Sequence, residues 1–231
     1  MAKPSKKVGK DKKATLALKE FVPATDNQRI AVGLLEDHQV VIMEGLAGTG
    51  KTYIAVWKAI ESLISGKVDK IIFTRPLTTV GGEKIGYLPG DVDEKTRPYA
   101  EQFAEYLEEF SPMLQFEDVK QLESKLEFIP MAFLRGRNFR NSIIIADVMQ
   151  NSSSIQMKTL LTRVAEGSQL IILGDTKQQD IPSLSTNGLS ELLYLISSAG
   201  KQSHVGHVKF GVEDIQRGEF VKFIMRLYGD Y

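Results

Sequence analysis

The feature that most constrains the fold is a glycine-rich segment at residues 45–52, which reads Gly-Leu-Ala-Gly-Thr-Gly-Lys-Thr. It fits the phosphate-loop pattern G-x-x-x-x-G-K-[ST] at every fixed position. An apolar run at residues 40–43 precedes it, and residues 52–64 carry apolar side chains at helical spacing. Strand, loop and helix in this order form the context in which the pattern binds phosphate. The segment therefore predicts an α/β fold with a nucleotide-binding loop, the alternative being a glycine-rich turn that contains Lys-Thr by chance.

The residue types of this loop suit a phosphate ligand. Glycines allow the backbone N–H groups to turn inward and approach the phosphates closely. Lys51 is expected to reach the β- and γ-phosphates of ATP, and the Thr52 hydroxyl to hold Mg²⁺. The predicted nucleotide contacts in the loop are Ala47, Gly48, Thr49, Gly50, Lys51, Thr52 and Tyr53.

Two later apolar runs end in polar residues of the kind this chemistry needs. Residues 142–146 run into Asp147, at the position expected of the Walker B aspartate that holds Mg²⁺. Residues 170–173 are followed by Gly-Asp and, three residues after that aspartate, by Gln178, which would sense the γ-phosphate or orient water. Open α/β sheets bind ligands at such strand ends. The simpler alternatives are a turn-capping Asp147 and a solvated Gln178.

Strand-like and helix-like segments alternate along the chain. This pattern predicts a single domain with one parallel sheet, right-handed crossovers and flanking helices. A length of 231 residues suits one such domain, and the lack of cysteine excludes disulfides and cysteine metal sites. No apolar run approaches the about 20 residues of a membrane span, and no signal core follows the basic N-terminus. We therefore expect a cytoplasmic protein without a membrane partner.

Charge separates the N-terminal end from the rest. Residues 1–13 contain six lysines and one aspartate, a balance of +5, although the whole chain has a formal net charge of zero. Residues 1–20 are interpreted as a flexible tail that either helps to hold a polyanion or is simply solvated. Residues 21–231 are interpreted as the ATP-binding domain.

Seven segments in a fixed order carry a more specific resemblance. They are residues 45–53, 74–76, 86–91, 133–137, 150–151, 161–163 and 174–178. Together they resemble the PhoH family of ATPases, P-loop NTPases related to the RecA-like core of superfamily 1 helicases, over about residues 27–228. The resemblance implies a RecA-like ATPase that acts on RNA or single-stranded nucleic acid, often as a homo-oligomeric ring such as a hexamer. It also implies that Gln28 contacts adenine and that Arg217 acts as an arginine finger on a neighbouring subunit's γ-phosphate.

The chain departs from the family at one catalytic position. Val148 follows Asp147, where the family has the glutamate expected to polarise the attacking water. Valine cannot accept a proton, and loss of a general base costs about 10²- to 10⁴-fold in rate. Mg-ATP binding is expected and hydrolysis is in question, with Glu44 considered as a substitute acid. The rival interpretations are an ATP-gated binding or assembly module with negligible turnover and, third, a small-molecule kinase.

Basic residues on the predicted loops are candidates for binding nucleic acid. They are Arg75, Lys84, Arg135 and Arg137, with Tyr87 as a base-stacking candidate. The equally weighted alternative is that Arg75 and Arg137 form structural ion pairs with carboxylates of residues 81–94.

Overall fold

The structure is a computed structural model, and it describes residues 18–76, 101, 103–110, 120, 122–178, 187–200 and 202–228. Residues 1–17 of the predicted basic tail lie outside the described residues. So do the predicted loop at residues 81–93 and, with it, Lys84 and Tyr87.

A six-stranded parallel sheet forms the centre of the described part of the chain. Its strands are β1 (Val40–Gly45), β2 (Lys70–Thr74), β3 (Leu126–Phe128), β4 (Ser142–Ala146), β5 (Gln169–Gly174) and β6 (Val205–Phe210). Their order across the sheet is β3-β2-β4-β5-β1-β6, and every pairing is parallel. β5 therefore lies between the strand that leads into the phosphate loop and the strand that ends at Asp147. The predicted fold class is confirmed.

Helices cover the sheet, and the helix predicted after the phosphate loop is among them. They are α1 (Asp26–Asp37), α2 (Lys51–Ile64), α3 (Ser154–Leu161), α4 (Gly188–Ala199) and α5 (Glu219–Leu227), and residues 103–110 are also helical. Thr25 caps α1 by accepting a hydrogen bond from the backbone of Gln28, and Ser153 forms a capping box with Gln156 at α3. The polar residues 25–27 and 152–154 predict helix caps in the sequence, and Thr25 and Ser153 confirm the prediction. The apolar spacing after Ser153 predicts a helix through Val164, and this prediction is wrong: Val164 lies beyond the end of α3 and pairs instead with the backbone of Phe139.

The apolar core has two layers because successive residues of a strand face opposite sides of the sheet. Val41 and Met43 of β1 pack with α1, α2 and the helical residues 103–110. Ile42 packs on the other face with α3 and α4. β4 is buried along its whole length since both of its faces are covered, which explains its continuous apolar run.

In the part of the chain that the structure describes, no helix combines the length and the apolar character that crossing a membrane requires.

Candidate nucleotide-binding site

The predicted phosphate loop connects β1 directly to α2. Gly50 precedes the first residue of α2 and has a φ of 91°. Gly45 has a φ of 137°, and a Cβ at that position would lie 2.2 Å from the carbonyl oxygen of Phe210 in β6. Glycine is therefore required at position 45 by both the backbone conformation and the close approach of the neighbouring strand.

The loop opens onto a cleft of about 870 Å³, which lies within the size range of ligand pockets. The predicted site residues that line it come from α1, the loop, the ends of β4 and β5, and the segment before α5. They are Gln28, Ala47, Gly48, Gly50, Lys51, Thr52, Tyr53, Asp147, Gln178 and Arg217. Thr49, the remaining predicted nucleotide contact, is not among the residues that line the cleft. Its buried hydroxyl donates to the carbonyl of Leu46 at 2.9 Å and stabilises the loop.

Lys51 lies folded against its own loop. Its ammonium donates to the carbonyl oxygens of Gly45 at 2.7 Å and Leu46 at 2.6 Å. Burial lowers the pKa of Lys51, and the negative charges of Asp175 and Asp147 oppose this shift. The lysine therefore lies between the phosphate loop and two carboxylates, where a bound phosphate would also place its charge.

Asp147 and Thr52 form the candidate magnesium site. Burial raises the pKa of the Asp147 carboxyl, against the hydrogen bond from the Val148 N–H, the charges of Arg75 and Lys51, and the hydrogen bond of the Thr52 side chain. A carboxylate and a hydroxyl are suitable oxygen ligands for Mg²⁺, which takes its remaining ligands from phosphate and water. The described residues contain no cluster of three or more histidine or acidic side chains arranged for a metal. The carboxylate of Asp147 and the hydroxyl of Thr52 would fit a Mg²⁺ that takes its other ligands from phosphate and water.

Val148 lines the cleft in an unusual backbone conformation. Its φ of 57° and ψ of 38° lie in the left-handed region. Such angles are a genuine outlier for a β-branched residue and cost about 1–3 kcal/mol. The backbone N–H of Val148 donates to Asp147 Oδ1 at 2.8 Å. The strained turn therefore helps to hold the carboxylate, while the valine side chain itself contributes no proton acceptor.

Gln28 connects the start of α1 to the phosphate loop. Its side-chain oxygen accepts from the backbone N–H of Ala24 at 2.8 Å, and its amide nitrogen donates to the carbonyl of Thr49 at 3.1 Å. The residue is buried and lines the cleft. Its contact with adenine stays a prediction, while its role in joining the two segments is evident from the geometry.

Arg217 packs over the phosphate loop of its own chain. The N–H of Gln216 donates to the carbonyl of Gly48 at 2.8 Å, and a Cβ at Gly48 would lie 2.8 Å from Cγ of Arg217. Nearby, Asp214 accepts a hydrogen bond from the Asn27 side chain at 2.8 Å and anchors this segment to α1. The expectation of a finger directed at a neighbouring subunit stays a prediction, since a single chain already places Arg217 in its own cleft.

Glu44 is not available as the substitute acid. It is 4% exposed, and its carboxylate accepts hydrogen bonds from Thr176 at 2.6 Å and Lys209 at 3.1 Å. Its other oxygen lies 3.2 Å from His207 Nε2. The hydrogen bond with His207, followed by those with Thr176 and Lys209, lowers the pKa of Glu44 to about 2 against the opposing effect of burial. Glu44 is outside the lining of the cleft and instead holds the segment that follows β5.

Asp175 is a further residue of the cleft, and its place in the Gly-Asp-x-x-Gln segment is the signal that could have indicated it. Asp175 is 5% exposed and lines the cleft, and its N–H lies 3.2 Å from the side-chain oxygen of Gln150, which also lines it. Phe21 and Tyr106 line the same cleft and contact Tyr53 with ring centroids 6.0 Å apart. Aromatic side chains at this spacing resemble an ordinary core in a sequence, so the pattern alone did not reveal them.

Three of the candidate nucleic-acid residues, Arg75, Arg135 and Arg137, belong to the described part of the chain and are not among the residues that line this cleft. Arg137 forms an ion pair with Glu127 and lies over the Phe139 ring, 5.3 Å from its centroid. Glu127 is therefore a structural partner of Arg137, and the predicted ion pairs with residues 81–94 lie outside the described residues. Arg135 is exposed, and the carbonyl of Arg75 accepts from the N–H of Met131 at 3.3 Å, so Arg75 adjoins the Arg135 turn.

The phosphate loop follows β1 and the carboxylate of Asp147 follows β4, with β5 between these two strands. This arrangement defines a P-loop nucleotide-binding protein. The family model described as PhoH-like protein matches residues 20–229. The chain therefore belongs to the PhoH-like family, which confirms the resemblance found in the sequence.

Relatives from several bacteria support this assignment. A PhoH-like protein of Synechocystis sp. is 37% identical over 165 residues, which are 71% of this chain and 50% of that protein. Protein PhoH of Escherichia coli K12 is 37% identical over 196 residues, which are 84% of this chain and 54% of that protein. The chain thus spans about half the length of these relatives.

Solved structures show a more distant likeness. The SWI2/SNF2 ATPase core of Sulfolobus solfataricus in complex with dsDNA aligns with a TM-score of 0.44 and 14% identity, over 81% of this chain and 44% of that one. The Pif1 helicase from Candida albicans aligns with a TM-score of 0.43 and 14% identity, over 90% of this chain and 44% of that one. TM-scores this low carry no information about function.

Proposed function

We propose that this chain binds Mg-ATP in the cleft and hydrolyses it in support of an action on RNA or single-stranded nucleic acid. The observation that carries the proposal is the convergence of Lys51, Thr52 and Asp147 on one cleft. A bound Mg²⁺ would supply charge neutralisation at the β- and γ-phosphate oxygens.

The residues of the chain divide the work in this proposal. Lys51 exchanges the carbonyls of its own loop for phosphate oxygens, while the loop N–H groups bind the remaining oxygens. Arg217, which lies over the same loop, offsets the negative charge that develops in the transition state. Gln178 orients the attacking water beside the γ-phosphate.

The nucleic-acid surface is proposed at the turn that follows β3. Arg135 is exposed there, and Phe133, in the same turn, is 59% exposed. An arginine beside an exposed aromatic ring combines a phosphate contact with a surface for stacking a base. Arg75 adjoins this turn through its bond to Met131 and also acts electrostatically on Asp147, so it could link this surface to the ATP site.

Assembly into a homo-oligomer is part of the same proposal. α5 exposes Phe220 (74%), Phe223 (52%) and Leu227 (65%) directly after Arg217. An apolar helix face of this kind is typical of protein contacts. The chain is proposed to act in the cytoplasm.

A second candidate function is an ATP-gated binding module with negligible turnover. Val148 favours it, because a cleft that binds Mg-ATP without a base beside the γ-phosphate would hold the nucleotide intact. The two candidates share the binding step and differ in the chemical step.

Phosphate release from ATP, measured with and without a single-stranded RNA oligonucleotide, tests the proposal. We expect the chain to bind ATP in the presence of Mg²⁺ and to hydrolyse it faster when RNA is added. Lys51→Ala should abolish turnover, and the exposed Asp37→Asn should leave it unchanged. Binding without hydrolysis would favour the gated module, and no binding of ATP would overturn both.

A further inference from the structure

Asp175 stands at the centre of the cleft because of the strand order. β5 pairs with β1 on one side, with Gly174 opposite Glu44, and with β4 on the other, with Ile172 opposite Ala146. Asp175 is the first residue after β5. Its carboxylate therefore lies between the strand that leads into the phosphate loop and the strand that ends at Asp147.

One oxygen of this carboxylate is bound and the other is not. Oδ1 accepts a hydrogen bond from the N–H of Lys177 at 3.0 Å. Oδ2 is buried and has no hydrogen-bond partner among the residues that the structure describes. Buried carboxylate oxygens are almost always satisfied, because an unpaired one forfeits its solvation. A residue that is 5% exposed, lines the cleft and leaves an oxygen unpaired is arranged for a partner that arrives with the ligand.

The other acids in the cleft and beside it already have partners. Asp147 accepts from the N–H of Val148 and faces the Thr52 hydroxyl, as a magnesium ligand would. Glu109 accepts from the Tyr53 hydroxyl at 2.9 Å, at the aromatic end of the cleft. Glu44 is bound to Thr176, His207 and Lys209. Asp175 is thus the cleft acid with a spare oxygen near Lys51.

We propose that Asp175 is the general base of this chain and takes the place of the acid missing at Val148. The inference rests on the proposed ATPase function. The water oxygen forms a bond to the γ-phosphorus, the bond from that phosphorus to the ADP oxygen breaks, and ADP leaves with the electron pair. Oδ2 of Asp175 accepts the water proton and later releases it to solvent.

Lys51 lies close enough to Asp175 for the charge of this aspartate to oppose the lowering of the lysine's pKa by burial. In the structure the lysine donates to the carbonyls of Gly45 and Leu46, and Oδ2 of Asp175 is buried. In the proposed mechanism Lys51 moves to the phosphates when nucleotide binds, and the attacking water is held beside Oδ2.

The test compares Asp175→Asn with the double variant Asp175→Asn, Val148→Glu. Asparagine keeps the shape and the contact with Lys177 but cannot accept the proton. We expect single-turnover hydrolysis to fall by about 10²- to 10⁴-fold while ATP binding and its Mg²⁺ dependence stay the same. The double variant should regain most of the lost rate, since a glutamate at position 148 restores a base at the family's position.

The outcomes separate this inference from the proposed function. An unchanged rate in Asp175→Asn, or a loss that Val148→Glu does not repair, overturns the assignment. A weakened Mg²⁺ dependence in Asp175→Asn also overturns it and makes Asp175 a metal ligand. If the unmodified chain binds ATP but only Val148→Glu hydrolyses it, Asp175 is not a base and the gated module is correct. If the unmodified chain does not bind ATP, the proposed function falls first and this inference falls with it.

Discussion

Replacing Val148 by asparagine should stabilise the protein even though it removes an apolar side chain from the cleft. Val148 has a φ of 57° and a ψ of 38°, angles that asparagine tolerates far better than a β-branched residue. The strain at such a residue is about 1–3 kcal/mol. Because Val148 is partly exposed, loss of its apolar contacts offsets only part of this gain. We expect a net increase of about 1 kcal/mol in the free energy of unfolding, or roughly 2–4 °C in Tm.

Thermal and urea unfolding without nucleotide measure this effect, and Val148→Thr is the matched control. Threonine keeps the β-branch, so the backbone strain persists and no stabilisation should appear. If Val148→Asn were no more stable than Val148→Thr, the backbone at this position would not be strained by its side chain, and the reasoning would be refuted.

Three further predictions concern the residues around the loop. Arg217→Ala should lower ATP turnover about 10³-fold or more. If Arg217 acts in its own chain, mixing this variant with Lys51→Ala should restore no turnover. Recovered turnover in the mixture would show that Arg217 acts on a neighbouring subunit. Glu44→Gln should remove stability that is present above pH 4.5 and is lost as the pH falls towards the folded pKa of about 2. The free energies of unfolding of the unmodified chain and of Glu44→Gln should therefore differ more at pH 7 than at pH 3, by no more than about 3 kcal/mol. An equal difference at both pH values would contradict the assignment. Gly45→Ala should prevent stable folding, since its Cβ would lie 2.2 Å from a β6 carbonyl oxygen. Gly66→Ala has open space around its Cβ and should lower the free energy of unfolding by only about 1 kcal/mol. Similar losses of stability for the two variants in urea unfolding would argue against the close approach at Gly45.

Local chemistry explains what could be predicted from the sequence. The phosphate loop, the apolar run that ends at Asp147 and the caps Thr25 and Ser153 each depend on residues close together in the chain. The segment at residues 127–129 predicts a strand, and β3 begins one residue earlier, at Leu126. The helix predicted to reach Val164 stops at Leu161, because the backbone of residues 163–165 bonds to Phe139 instead. That contact is made across the fold and leaves no periodic signal.

The sequence by itself determined the class of this protein, the loop that binds phosphate and the family to which it belongs. The reason is that backbone conformation at glycines and the alternation of apolar residues are local properties. Only the tertiary structure decided which acids line the cleft. The insertion of β5 between β1 and β4 brings Asp175 beside Lys51, and the same parallel pairing turns Glu44 towards Thr176 and β6. The packing of the segment before α5 against Gly48 places Arg217 over its own loop. These positions depend on the order of strands in the sheet, which brings together residues more than a hundred positions apart, as Thr176 and Glu44 are.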